Sequence, residues 1–145
     1  MPNININKKS YDLTTDLNQL KCSLTALFAS IPYNNYANNI IAQYEGYYAS
    51  VIFTYLISLG FPCIPEDVTQ KGRIDLTLKL PNRFVITKFK VDQKNTALAQ
   101  IKQKKYSEKY LAEAKNQAID IFILGIGFDS RDKNITEFDL EKVPC

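Results

Sequence analysis

Asp75, Lys88 and Lys90 are the residues of this chain whose types and spacing could do chemistry. They lie within Gly72 to Val91, GRIDLTLKLPNRFVITKFKV, two runs of strand-forming residues joined by a polar turn at Pro81-Asn82-Arg83. In the first run Ile74, Leu76, Leu78 and Leu80 alternate with Asp75, Thr77 and Lys79, the period-two pattern of a strand with one apolar face. In the second, Phe84, Ile86, Lys88 and Lys90 share one face and Val85, Thr87, Phe89 and Val91 the other, which suggests an interior strand with both faces covered. Folded as an antiparallel hairpin, the two runs bring Asp75 beside Lys88 and Lys90, because about as many residues lead into the turn as lead back from it. A carboxylate thus meets two ammonium groups, and lysines on a covered strand need partners.

The rest of the composition narrows the chemistry further. The chain of 145 residues contains no histidine, which removes His-based triads, two-His metal sites and the usual general base, leaving carboxylates and lysines. Cys22, Cys63 and Cys145 form no C-x-x-C pair and are odd in number, so neither a zinc site nor a disulfide framework is expected and a reducing, cytoplasmic setting fits best. The net charge of +3 is compatible with nucleic acid without requiring it. The N-terminal MPNININKKS lacks the apolar core of a signal peptide, and the longest apolar run, Val51 to Phe61, is interrupted and too short to span a bilayer, so no membrane association is expected.

The elements that must position these residues are legible from periodicity. Residues 1–10 form a polar, Asn-rich tail, and residues 11–145 a single domain. Leu13, Leu17, Leu20, Leu24, Leu27 and Phe28 recur at spacings of three and four, predicting an amphipathic helix that ends before Pro32. After a turn at Pro32 to Tyr36, a longer helix follows Ile40, Ile41, Tyr44, Tyr48, Val51, Ile52, Tyr55, Leu56 and Leu59 and closes at Gly60. Glu45 falls on its inner stripe between Ile41 and Tyr48, where an unpaired charge is costly, and a mid-helix Gly46 suggests a close approach of backbone or ligand. Phe61 to Asp67 reads as a Pro-flanked edge strand. A helix from about Thr96 to Lys115, capped by Asn95 or Thr96, carries Ala97, Ile101, Leu111 and Ala112 on one side, sets Gln100 and Lys104 one turn apart, and puts Tyr106 and Tyr110 on the far side. Ile119 to Ile126 is a strand buried mid-sheet and parallel to the hairpin's second strand, and Ile135, Phe138 and Leu140 mark a last short strand. The fold class is α/β: a mixed sheet with helices on its faces.

Several of these segments carry a resemblance. Glu45-Gly46-Tyr47-Tyr48-Ala49-Ser50, Gly72-Arg73-Ile74-Asp75-Leu76, and Gln100-Ile101 with Lys104 and Tyr106 resemble the motifs of PD-(D/E)xK nucleases, closest to the nuclease-like domain found behind an AAA-ATPase-like module in bacterial proteins. The resemblance runs from about Leu24 to Phe128 and implies a restriction-endonuclease-like α-β-β-β-α-β core, here with an extra N-terminal helix and a C-terminal strand. One position departs: where the family has the glutamate of E-F-K, this chain has Lys88-Phe89-Lys90. The resemblance implies that Asp75 and the missing glutamate would hold Mg²⁺ or Mn²⁺, and that Lys90 would orient the attacking water. It further implies that Glu45 would reach the metal through bound water and that Gln100 would help hold the nucleic acid.

Lys88 puts an ammonium where a dication should sit, and two unit charges about 4 Å apart interact by about 4 kcal/mol at an effective dielectric near 20. The lost ligand and the added charge act in the same direction, so Lys88 is expected to pair with Asp75 or Glu45 and catalysis to be crippled. Three functions stand open. One is a degenerate nuclease-like domain that keeps a DNA or other nucleic-acid contact through Lys71, Arg73, Gln100 and Lys104, with Lys90 and Lys102 nearby. Another is an active metal-dependent nuclease with Glu66 or Glu45 as a relocated ligand. The third is a protein-interaction module using the tyrosine-rich second helix, with an ATPase module supplied in trans among the candidate partners.

Overall fold

A computed structural model describes residues 17–32 and 43–144. The polar tail, Leu13, the turn beyond Pro32, Ile40, Ile41 and Cys145 lie outside the described residues. The elements run α1 (Asn18–Ala29), α2 (Glu45–Ser58), β1 (Cys63–Thr69), β2 (Gly72–Leu80), β3 (Arg83–Val91) and α3 (Ala97–Lys104). A 3₁₀ turn (Tyr106–Tyr110), α4 (Leu111–Gln117), β4 (Asp120–Asp129) and β5 (Asn134–Lys142) complete the order. The sheet order is β1-β2-β3-β4-β5, with β3 and β4 parallel and every other neighbouring pair antiparallel. The single parallel step follows from the crossover through α3 and α4, as chain-connection rules require.

Both faces of the sheet are covered. On one, Leu20, Leu24 and Phe28 of α1 and Tyr48, Ile52 and Leu56 of α2 pack onto Leu76, Leu78, Val85, Phe89 and Phe128. The rings of Tyr48 and Phe128 stack with centroids 4.1 Å apart. On the other, Ile101, Tyr106, Tyr110 and Ala114 cover Ile74, Phe84, Ile86, Ile121 and Ile123. Each buried leucine, isoleucine, valine or phenylalanine among them contributes about 1.5–3 kcal/mol by leaving water. This two-layer burial is why β3 and β4 read as apolar on both faces.

The structure revises four local expectations. The helix expected over 96–115 is broken: Lys105 adopts the left-handed region (φ 50°), α3 ends there, and a 3₁₀ turn leads into α4. The break resets the helical phase, so Tyr106 and Tyr110 are core residues while Leu111 and Ala112 face outward. Thr96 makes no capping hydrogen bond from its side chain. Glu45 opens α2 instead of lying within it, and Gly46 is exposed with open space where a Cβ would stand. No close approach therefore requires that glycine among the described residues. Finally, Ile74 joins the core opposite to that of Leu76, because strand alternation fails at Asp75. The edge position of β1 and the mid-sheet position of β4 agree with the pattern, although β1 is shifted to 63–69 and β5 is longer than expected.

Candidate functional site

The site forms where β2 and β3 cease to pair. Their register runs from Leu80↔Arg83 to Leu76↔Thr87. Beyond it, the side chain of Asp75 takes the place of a ladder carbonyl: Oδ2 accepts the Phe89 N–H at 2.8 Å. Oδ1 lies 3.2 Å from Lys88 Nζ, which also donates to the Arg73 carbonyl at 3.1 Å. The Lys88 ammonium stands 5.9 Å from the centre of the Tyr106 ring, and the residue is 8% exposed. Arg73 completes the cluster, its guanidinium 3.7 Å from Asp75 and 3.4 Å from Glu66. A buried ammonium facing a carboxylate, a carbonyl and the face of an aromatic ring is well compensated, as a charge removed from water must be.

Beside this cluster is a small cavity of about 170 Å³ lined by Glu45, Ser50, Phe53, Glu66, Arg73 and Asp75, with Gly46, Ala49 and Pro65 completing it. Glu45 reaches it from the first turn of α2, where the helix dipole favours a carboxylate. The fold thus brings Asp75, Lys88 and Arg73 into contact and Glu45 to the same cavity. Lys90 is half-buried and makes no hydrogen bond or ion pair among the described residues. Lys71 and Lys104 line a second cavity of about 340 Å³, together with Lys105, Tyr106, Glu108 and Lys109. Lys71 pairs there with Glu108 at 3.5 Å. Gln100 is half-buried on α3 and lines neither cavity.

Sequence patterning does not reveal one polar cluster that the structure contains. Asp67 is 5% exposed and accepts hydrogen bonds from Thr77 at 2.6 Å and from Tyr110 and Lys109. Burial alone pushes its carboxyl up, but the bonds from Lys109, Thr77 and Tyr110 and the Lys109 charge outweigh this and hold it below the usual carboxylate range. Burial and the neighbouring Asp67 carboxylate raise the Tyr110 hydroxyl above its ordinary range. The sequence signal for this cluster was weak, because Lys109 and Tyr110 reach Asp67 only through the 3₁₀ turn that the helical pattern hid.

Among the described residues, no group of three or more His, Cys, Asp or Glu side chains is placed to hold a metal ion. No helix among the described residues is long and apolar enough to cross a membrane.

Comparison with known proteins identifies the family. An "Uncharacterized protein in vnfD 5'region" of Azotobacter chroococcum mcd 1 is 38% identical over 138 residues, which cover 92% of this chain and 26% of that protein. The chain therefore spans about a quarter of the length of that relative. No solved structure matches significantly. Residues 43–138, from just before Glu45 to β5, match the family described as the PD-(D/E)XK nuclease superfamily. With a mixed five-stranded sheet and helices on both faces around the Asp75 hairpin, the chain belongs to the PD-(D/E)XK nuclease superfamily.

Proposed function

We propose that this chain is a nucleic-acid-binding PD-(D/E)XK domain in which the Lys88 ammonium has replaced the metal beside Asp75, so that phosphodiester cleavage is lost or severely weakened. The observation that carries the reading is the 3.2 Å contact between Lys88 Nζ and Asp75 Oδ1. Mg²⁺ needs several hard oxygen ligands, usually one or two of them carboxylates. Here one oxygen of Asp75 faces two cationic side chains and the other is bound to a backbone N–H. Glu45 and Glu66 line the same cavity, but Glu66 is exposed and paired with Arg73, and no three such groups among the described residues are placed around a common point, so as arranged these residues do not fit a Mg²⁺ or Mn²⁺ site. A lysine head can balance the Asp75 charge but cannot act as a Lewis acid.

Binding is the function that survives such a replacement. The cavity beside Lys71 and Lys104 sets four lysines against Glu108, which supports contact with a phosphate backbone.

Lys88→Glu tests the proposal, since it changes the site charge by two units and restores the missing carboxylate. Calorimetry with Mg²⁺ and Mn²⁺ and nicking of supercoiled plasmid should show neither metal binding nor cleavage in the unchanged chain. Lys88→Glu should gain metal binding with at least traces of nicking, and Lys88→Glu with Asp75→Ala should lose both. Robust cleavage by the unchanged chain would overturn the proposal in favour of Glu66 or Glu45 as a relocated ligand.

A further inference from the structure

The short run from Lys71 to Asp75 serves two cavities of opposite character. Lys71 lines the one that also holds Lys104, Lys105 and Lys109, while Arg73 and Asp75 line the one that holds Glu45 and Glu66. Lys71 stands in the turn that leads into β2 and Arg73 is the second residue of β2, so the cavities are lined by residues two apart in the chain at the β1–β2 edge of the sheet. Lys104 and Lys105 are exposed and have no ion-pair partner among the described residues. Their charges are thus available to an anion, and Lys105 is aimed by the left-handed break that ends α3.

The carboxylate cavity has the attributes of a pocket for one planar ring. Its volume of about 170 Å³ lies below the roughly 300 Å³ at which pockets take drug-sized ligands. Ala49, Phe53 and Pro65 give it apolar walls, and its polar groups are of two kinds. Glu45 is a half-buried acceptor with no hydrogen bond or ion pair among the described residues. Arg73 is a fork of donors, one arm 3.7 Å from Asp75 and the other 3.4 Å from exposed Glu66, the latter a weak surface pair that a better partner can displace.

We infer that this cavity receives an unstacked guanine of single-stranded nucleic acid, whose backbone phosphates are held by Lys71, Lys104 and Lys105. Guanine alone among the common bases offers adjacent N–H donors on one edge, which a carboxylate accepts as a pair, and the O6 and N7 acceptors that an arginine fork binds on another. Single strands present such edges because their bases can be splayed out and packed against apolar or aromatic side chains. The inference rests on the nucleic-acid reading above and assigns the old catalytic cavity a recognition role.

The test uses labelled twelve-residue thymine oligonucleotides, unmodified or carrying one central guanine or one central inosine, which lacks the N2 amine. Anisotropy at two salt concentrations should show the guanine oligonucleotide binding about five- to tenfold more tightly than the thymine one, with inosine between them. Glu45→Gln should remove that preference, bringing the guanine and thymine oligonucleotides to the same affinity. Lys104→Ala with Lys105→Ala should weaken all three alike and reduce the salt slope by about 0.7 per lost phosphate contact. Equal affinity for guanine and thymine oligonucleotides would overturn the base pocket while leaving nucleic-acid binding in place. A parallel titration of free guanosine, followed by the amide resonances of Gly46 and Ser50, separates the two failures. Shifts with guanosine but no oligonucleotide binding would sustain the pocket and sink the nucleic-acid reading, and no response in either experiment would sink both.

Discussion

Lys88 Nζ and Asp75 Oδ1 lie 3.2 Å apart, with their side chains only 10% and 9% exposed. Removing one partner of a buried pair costs about 3–5 kcal/mol because the other charge is left uncompensated. Arg73 and the Phe89 N–H still face Asp75, so Lys88→Met is expected at the lower end, about 3 kcal/mol. Lys88→Met with Asp75→Asn should recover part of that loss, since no charge is then stranded and Asn can still accept the Phe89 N–H. Urea unfolding of the two single variants and the double variant measures the coupling; additive effects would mean that the two groups do not interact.

The Asp67 cluster predicts an acid limb to stability. Its carboxyl is held below the usual range in the folded state, so its contribution is fully present above about pH 4, the ordinary carboxylate value, and is lost as pH falls through the lowered folded value. Asp67→Asn should therefore flatten the stability profile below about pH 4 relative to the unchanged chain. Tyr110 has the opposite sign: its raised folded value keeps its contribution intact below about pH 10 and removes it as pH rises further. Denaturant midpoints measured from pH 2 to 11 would check both limbs.

Tyr110→Phe keeps the ring that packs edge-on against Phe84, centroids 5.5 Å apart, and deletes only the hydroxyl that donates to Asp67. The expected loss is about 1–3 kcal/mol, the cost of removing a donor from a buried carboxylate. Because Thr77 and Lys109 remain, the fold should survive, and an unchanged melting temperature would show that the hydroxyl is not bound there.

Gly125 is where α3 meets the sheet. A Cβ at this position would stand 2.6 Å from the Leu98 backbone nitrogen and 3.0 Å from the Ala97 Cβ. Backbone cannot yield as a side-chain tip can, so Gly125→Ala should cost about 1–3 kcal/mol by pushing α3 off β4. Gly46→Ala, at a position with open space, should be neutral or slightly stabilising. The pair of melting curves separates a glycine required by packing from one that is not.

The hairpin, its turn, the edge position of β1 and the buried parallel strand β4 were all determined by sequence. Each rests on a period-two pattern or a proline, signals that act over a few residues. The proximity of Asp75 to Lys88 was likewise legible, because a tight turn fixes register by counting. Tertiary structure decided what local pattern does not encode. Lys105 turns left-handed, and the resulting phase change buries Tyr106 and Tyr110, where an unbroken helix would have pointed them outward. Asp67, on an edge strand, gains Lys109 and Tyr110 from residues 42 and 43 positions away. The alternation of β2 fails at Asp75, whose carboxylate binds the Phe89 N–H, and Ile74 and Leu76 enter different cores. The division of lysines and carboxylates between two neighbouring cavities arises in the same way. It depends on which face α2 and α3 each cover, and long-range packing sets that where residue spacing does not.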